Sequence, residues 1–181
     1  MNLLDVWLPD YQFREYHSQR VAAPAQDLWH AVETVTPEEI RPLGWLMAIR
    51  SLPARLVGHK GRVFEKGTPI LDMAVNSNFV LLDERPSDEI AFGLGGQFWK
   101  LHGGPCVDVH NAHDFAAFGT PGFVRAAVNF QVGQGVISTE TRIQALDDET
   151  RRKFALYWTR IRPGSGWIRM AWLRAISRRA S

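Results

Sequence analysis

The last thirty-one residues constrain the fold of this chain more than any other stretch. They read RRKFALYWTRIRPGSGWIRMAWLRAISRRAS, from Arg151 to Ser181, and hold nine of the 21 basic residues and none of the 19 acidic ones. At about 100° per residue, Phe154, Tyr157, Trp158, Ile161, Ile168, Trp172, Ala175 and Ile176 fall in one arc about 100° wide, the width of a core-facing helix stripe. The phase carries through Pro163-Gly164-Ser165-Gly166. It predicts one long C-terminal helix, kinked or briefly broken at Pro163. A face so rich in aromatic rings must lie on a second layer, which the rest of the chain has to supply.

That layer reads as an antiparallel sheet. Residues 13–22, FREYHSQRVA, alternate as a strand does. Residues 79–85 and 89–94 form two more runs around Pro86-Ser87-Asp88, and Gly93, Gly95 and Gly96 suggest a bulge or sharp bend before Phe98-Trp99. The runs at 123–132 and 136–146 pair around Gly133-Gln134-Gly135. A two- or four-residue loop brings Val124, Ala126, Val128, Phe130 and Val132 onto one face with Ile137, Thr139, Thr141 and Ile143, whereas a three-residue loop does not. Phe130 is then expected to face Ile137, with Arg125, Asn129, Glu140 and Arg142 on an outer face, paired across strands.

Helical signals fill the intervals. Pro24 opens a helix whose apolar face is Leu28, Trp29 and Val32. Thr36-Pro37-Glu38-Glu39 is a capping box, and Pro42 restarts a helix that runs through LGWLMAIRSL to Pro53. Residues 54–68 read as loop, Pro69–Val75 and Ala112–Phe118 as short helices, and Asp147-Asp148-Glu149 as the cap and acidic first turn of the final helix.

Charge narrows the partners. Residues 1–150 hold 12 basic and 19 acidic groups, so the +2 net charge conceals a body at −7 and a tail at +9. Nucleic-acid binders carry a basic excess on the folded body, so no nucleic-acid partner is expected. The single cysteine, Cys106, excludes an internal disulfide and points to a reducing, cytoplasmic setting. No signal-peptide run and no stretch of eighteen apolar residues is present.

Strand, helices, antiparallel sheet and one long terminal helix form the order of the helix-grip fold. With VAAPAQDLWHAV at 21–32, FGLGGQFWK at 92–100, FGTPGFVRAAVNF at 118–130 and STETRIQAL at 138–146 running into KFALYWTRIRPGSGWIRMAWLRAI, the chain resembles the START-like (SRPBCC) superfamily of polyketide cyclases, lipid-transfer domains and ligand carriers. The resemblance covers nearly the whole chain and implies one α+β domain over residues 1–181, a curved antiparallel sheet wrapped around the last helix. It also implies a cavity between the two and leaves the chemistry open.

The expected lining of that cavity is His17, Phe92, Phe130, Thr139 and Thr141 from strands, with Phe154 and Trp158 from the helix. Apolar walls with a few polar points suit a hydrophobic or amphipathic small molecule; close packing of the same rings would leave no room. His17 shares the parity of Val21 and points inward beside Glu15 and Gln19. It either orients a ligand and moves a proton, as in a cyclase or aromatase, or is satisfied by a neighbour in the core. A third reading is an interaction module: Arg160, Arg162, Arg169, Arg174, Arg178 and Arg179 form a basic helix face that either stays solvated or meets an anionic membrane surface. His102, Cys106, Asp108, His110, His113 and Asp114 crowd a short segment without a recognised ligand spacing, so a polar surface loop is expected and no metal. Gly93-x-Gly95-Gly96 lacks the dinucleotide fingerprint, and no cofactor or catalytic motif is visible.

Overall fold

The computed structural model describes residues 1–40, 66–100, 104–107 and 109–181. The helix expected from Pro42 to Pro53, and most of the loop expected after it, lie outside the described residues. Five strands form one open antiparallel sheet: β1 (Phe13–Arg20), β2 (Val80–Arg85), β3 (Glu89–Gly96), β4 (Val124–Gly133) and β5 (Val136–Ala145). Their spatial order is β1-β5-β4-β3-β2. Among the described residues the helices are α1 (Leu3–Trp7), α2 (Ala25–Thr34), α3 (Ile70–Val75), α4 (Ala112–Ala117) and α5 (Asp148–Ala180). The sheet packs on α5, a helix-grip arrangement. Among the described residues no helix is long and apolar enough to cross a membrane.

Helix α5 runs 33 residues without interruption, so the break allowed at Pro163 does not occur. Proline removes one N–H from the ladder. The Thr159 carbonyl that loses its donor lies on an exposed turn, where water can replace it. Asp147 caps the start, its carboxylate accepting from the Thr150 N–H at 2.8 Å. Thr36 and Glu39 close the predicted capping box, around a single 3-10 turn at Pro37–Glu39.

The β4–β5 register follows the two-residue option, with Gly133 opposite Val136 and Gly135 at φ 70°. Val132 faces Ile137 and Phe130 faces Thr139, so Phe130 and Ile137 are diagonal neighbours on one face, one step from the expected direct pair. That face is the one turned to α5. Its far half packs against α2 and the C-terminal half of α5 through Leu28, Phe92, Phe130, Ile137, Leu173 and Ile176. Its near half packs Val124, Ile143 and Phe13 against Phe154 and Trp158.

The opposite face is covered, not solvated. Helices α1 and α4 lay Leu3, Leu4, Leu8 and Phe115 over Leu82, Ala91 and Ala127. The polar residues there are satisfied in place. Glu140 is held by Arg14 at 2.8 Å and by Arg142 at 2.6 Å, and Arg142 reaches Asp5 of α1 at 2.7 Å. Burial pushes the Glu140 carboxyl up, but hydrogen bonds from the two arginines outweigh it and hold it below its usual range. Arg125, the expected cross-strand partner, bonds Gln144 and the carbonyls of Phe115 and Ala116 instead. Fully buried Glu89 accepts from the Leu3 N–H, Asn129 and Arg85, tying the start of α1 to the sheet.

The glycine run does not bulge β3. The strand stays in unbroken register with β4 through Gly96, and the irregularity falls in β2 between Leu81 and Asp83. Gly93 is required by close approach: a β-carbon there would sit 2.7 Å from both Leu82 and the Phe115 ring.

Candidate functional site

Opposed residues of antiparallel strands share a face. Across its middle, the helix-facing side of the sheet therefore carries three rows: Phe13, Ile143, Ala126, Leu94; then Glu15, Thr141, Val128, Phe92; then His17, Thr139, Phe130, Ile90. The two ends of this face are closed by the clusters described above. The middle is polar. Glu15 is buried, and its Oε2 accepts from Ser165 of α5 at 2.7 Å. Its Oε1 lies 3.2 Å from His17 Nε2. Gly166 lets the helix come this close, since a β-carbon there would stand 3.0 Å from Glu15 Oε1 and 3.2 Å from the His17 ring.

Arg169, one turn beyond Ser165, lies on the same inward stripe. It is half-buried, with its guanidinium carbon 5.7 Å from the centroid of the Trp172 ring. Burial lowers its pKa to about 10, and the charge of Glu15 works against that shift. Glu15 is nonetheless beyond ion-pair distance, and among the described residues the guanidinium has no carboxylate partner. The Trp172 ring packs on Phe130 at 4.7 Å, and among the described residues its buried Nε1 has no hydrogen-bond partner.

The expected lining is thus divided. Phe92, Phe130 and Thr139 are buried at the α2 end, where the Thr139 hydroxyl donates to the Asn129 carbonyl at 2.7 Å. Phe154 and Trp158 are buried at the other end, with Phe13 at 5.0 Å and 6.1 Å from their respective rings. Thr141 lies between and stays half-buried, as do Leu94 and Ala126 on the same face and Ile161, Ile168 and Trp172 on α5. His17 is half-buried and opens onto an edge groove of about 510 Å³ between β1 and α5, where Arg162, Trp167, Met170 and Arg174 are its helix-side wall.

The basic helix face is smaller than expected. Arg169 belongs to the interior stripe. Arg178 donates to the Glu39 carbonyl at 3.0 Å, and Arg179 pairs with the Glu39 carboxylate at 2.7 Å, fastening the end of α5 to the 3-10 turn. Arg160, Arg162 and Arg174 remain exposed, with Trp167 53% exposed among them. In the candidate metal segment, His102 and Asp108 lie outside the described residues. Asp114 bonds the Asn111 side chain at 2.9 Å, and Asn111 caps α4.

Sequence reasoning singled out His17 but left Ser165, Arg169 and Trp172 out of the site. Ser165 and Arg169 are four apart, and Arg169 stands four before Leu173, so their phase was the available signal. Family models, curated proteins and solved structures offer no match to this chain.

Proposed function

We propose that the chain is a START-like binding protein that holds a hydrophobic or amphipathic small molecule between its sheet and α5. The observation that carries this reading is the incomplete closure of the interior face. Thr141 and Ala126 lie in β5 and β4, inside the sheet, yet they and Leu94 keep solvent-reachable surface on the face turned to α5, whose Ile161, Ile168 and Trp172 are likewise half-buried. A core that simply closed would bury them. Apolar walls around a few fixed polar groups are the usual lining of a small-molecule site. Titration with 1-aminoanthracene tests it. Saturable one-to-one fluorescence enhancement, lost on Thr141→Trp, is expected; no enhancement with folded protein refutes it.

One observation favours an enzyme of the cyclase or aromatase type. Glu15 holds an imidazole and a hydroxyl at once, and the His17 side opens to a groove. A carboxylate–imidazole pair beside bound polyketone can move protons. Turnover of a linear polyketone mimic that falls with His17→Gln would establish that reading.

A further inference from the structure

We propose that the molecule held between sheet and α5 is an amphiphile with one carboxylate-type anionic group, and that this group pairs with Arg169. The inference rests on the binding reading above and deepens it.

Arg169 occupies the helix stripe between Trp158 and Leu173, both buried against the sheet. A guanidinium in such a place needs a counter-charge and acceptors for its N–H groups. The nearest candidate is already committed: one Glu15 oxygen takes the Ser165 hydroxyl and the other faces His17. Next to the guanidinium, the buried Trp172 Nε1–H has no hydrogen-bond partner among the described residues. Among the described residues this interior therefore holds a cation without a carboxylate partner and an indole N–H without an acceptor. On the same sheet face Ala126 and Leu94, and on α5 Ile168, retain apolar surface that solvent reaches.

The missing chemistry is an oxyanion on an apolar body. A neutral amphiphile would leave the guanidinium uncompensated, and a cationic one would be repelled. Among the described residues, Arg169 is the arginine of this interior with no carboxylate partner, so one negative charge matches it. The exposed Arg162 and Arg174 at the edge groove favour approach of the same charge.

Fluorescence titration with cis-parinaric acid and its methyl ester at neutral pH tests the inference. The acid is expected to bind about ten-fold more tightly than the ester. Arg169→Met, which keeps much of the side-chain volume, should bring the acid to the level of the ester. Arg169→Lys should keep most of the preference. Sodium phosphate should not displace the acid at equal concentration, because it lacks the apolar body; displacement would make this a free-anion site and overturn the proposal. Equal binding of acid and ester to the unaltered protein overturns the anionic inference and leaves the cavity reading standing. Binding of neither overturns both. A preference that survives Arg169→Met in folded protein removes Arg169 from the role. Should that variant fail to fold, the acid–ester comparison on the unaltered protein still decides.

Discussion

Gly164 and Gly166 make a matched pair for measuring how tightly α5 grips the sheet. Both lie inside one helix, two residues apart. Alanine in place of an interior helix glycine is worth about 1 kcal/mol through the unfolded chain's lost freedom. At Gly164 none of the described residues lies within 4 Å of the added methyl, so the gain should appear undiminished. In a domain of this size it corresponds to about 2–4 °C in Tm.

At Gly166 the same gain meets resistance. The methyl would stand 3.0 Å from Glu15 Oε1 and 3.2 and 3.3 Å from two atoms of the His17 ring. Ordinary contact needs about 3.5–4.0 Å, so the neighbours must yield by a few tenths of an ångström. The Glu15 side chain is only 5% exposed and is held from Ser165 on one side and His17 on the other, so it has little room to turn away. Hydrogen bonds to a charged group are worth about 1.5–3 kcal/mol each, and stretching two of them should cost about 1–3 kcal/mol together. Gly166→Ala is therefore expected to be neutral or destabilising, and to fall below Gly164→Ala by about that margin. Urea denaturation at constant m-value gives the difference. Equal stabilisation by both alanines would refute the close approach and the polar grip built on it.

Trp158→Ala should destabilise by about 3–5 kcal/mol in the same assay, since it opens a cavity against Phe13 and Ile143. Glu89→Ala should release residues 1–8, because it removes the acceptor for the Leu3 N–H, Asn129 and Arg85; amide exchange of Leu3 and Leu4 rising to unprotected rates checks this. Asp147→Ala should lower Tm at neutral pH, with the gap closing as pH falls from about 4 towards 2. Hydrogen bonds from Thr150 hold that carboxyl at about 2, against 3.8 unperturbed, so its contribution is present above the unfolded value and disappears through the folded one. On anionic vesicles at low salt, Arg162→Gln with Arg174→Gln should weaken any binding that the exposed Trp167 supports, while Arg178→Gln should mainly loosen the helix end from Glu39; sedimentation with neutral vesicles as reference reads both.

The strands, their order in sequence and the faces of β4 and β5 were legible because a period of two leaves no freedom once one loop length is chosen. Gly135 at positive φ made the two-residue loop accessible, and the whole apolar set then fell on one side. The polar residues of the other face were placed on the right side, and Glu140 pairs across strands with Arg14, but that the face is covered was hidden for an equally physical reason. Arg125, Asn129, Glu140 and Arg142 look like residues in water, and polarity alone does not separate a wet face from a buried network in which each charge has a partner. The clue was at the far end of the chain, in Leu3, Leu4 and Leu8, three large apolar residues needing a surface to cover. The glycines of β3 were read as bend formers because the pattern shows that side chains are missing, not what occupies the space. Phe115 and Leu82 do so at Gly93.

The candidate site was half legible for a related reason. His17 was found by strand parity, which applies to polar and apolar residues alike. Arg169 is invisible to a stripe defined by apolar residues alone, because such a stripe leaves every charge to the opposite face. Geometry makes no such exception: Ser165 and Arg169 continue the line from Trp158 to Leu173, and on β1 Glu15 and His17 continue the line from Phe13. The two polar interruptions meet, with Ser165 on Glu15 and Arg169 within reach of its field. If closing the sheet were the only requirement, apolar residues at these four positions would serve it as well or better. A buried carboxylate tied to serine and histidine, beside a guanidinium with no carboxylate partner among the described residues, supports an interior arranged to orient something that is neither sheet nor helix.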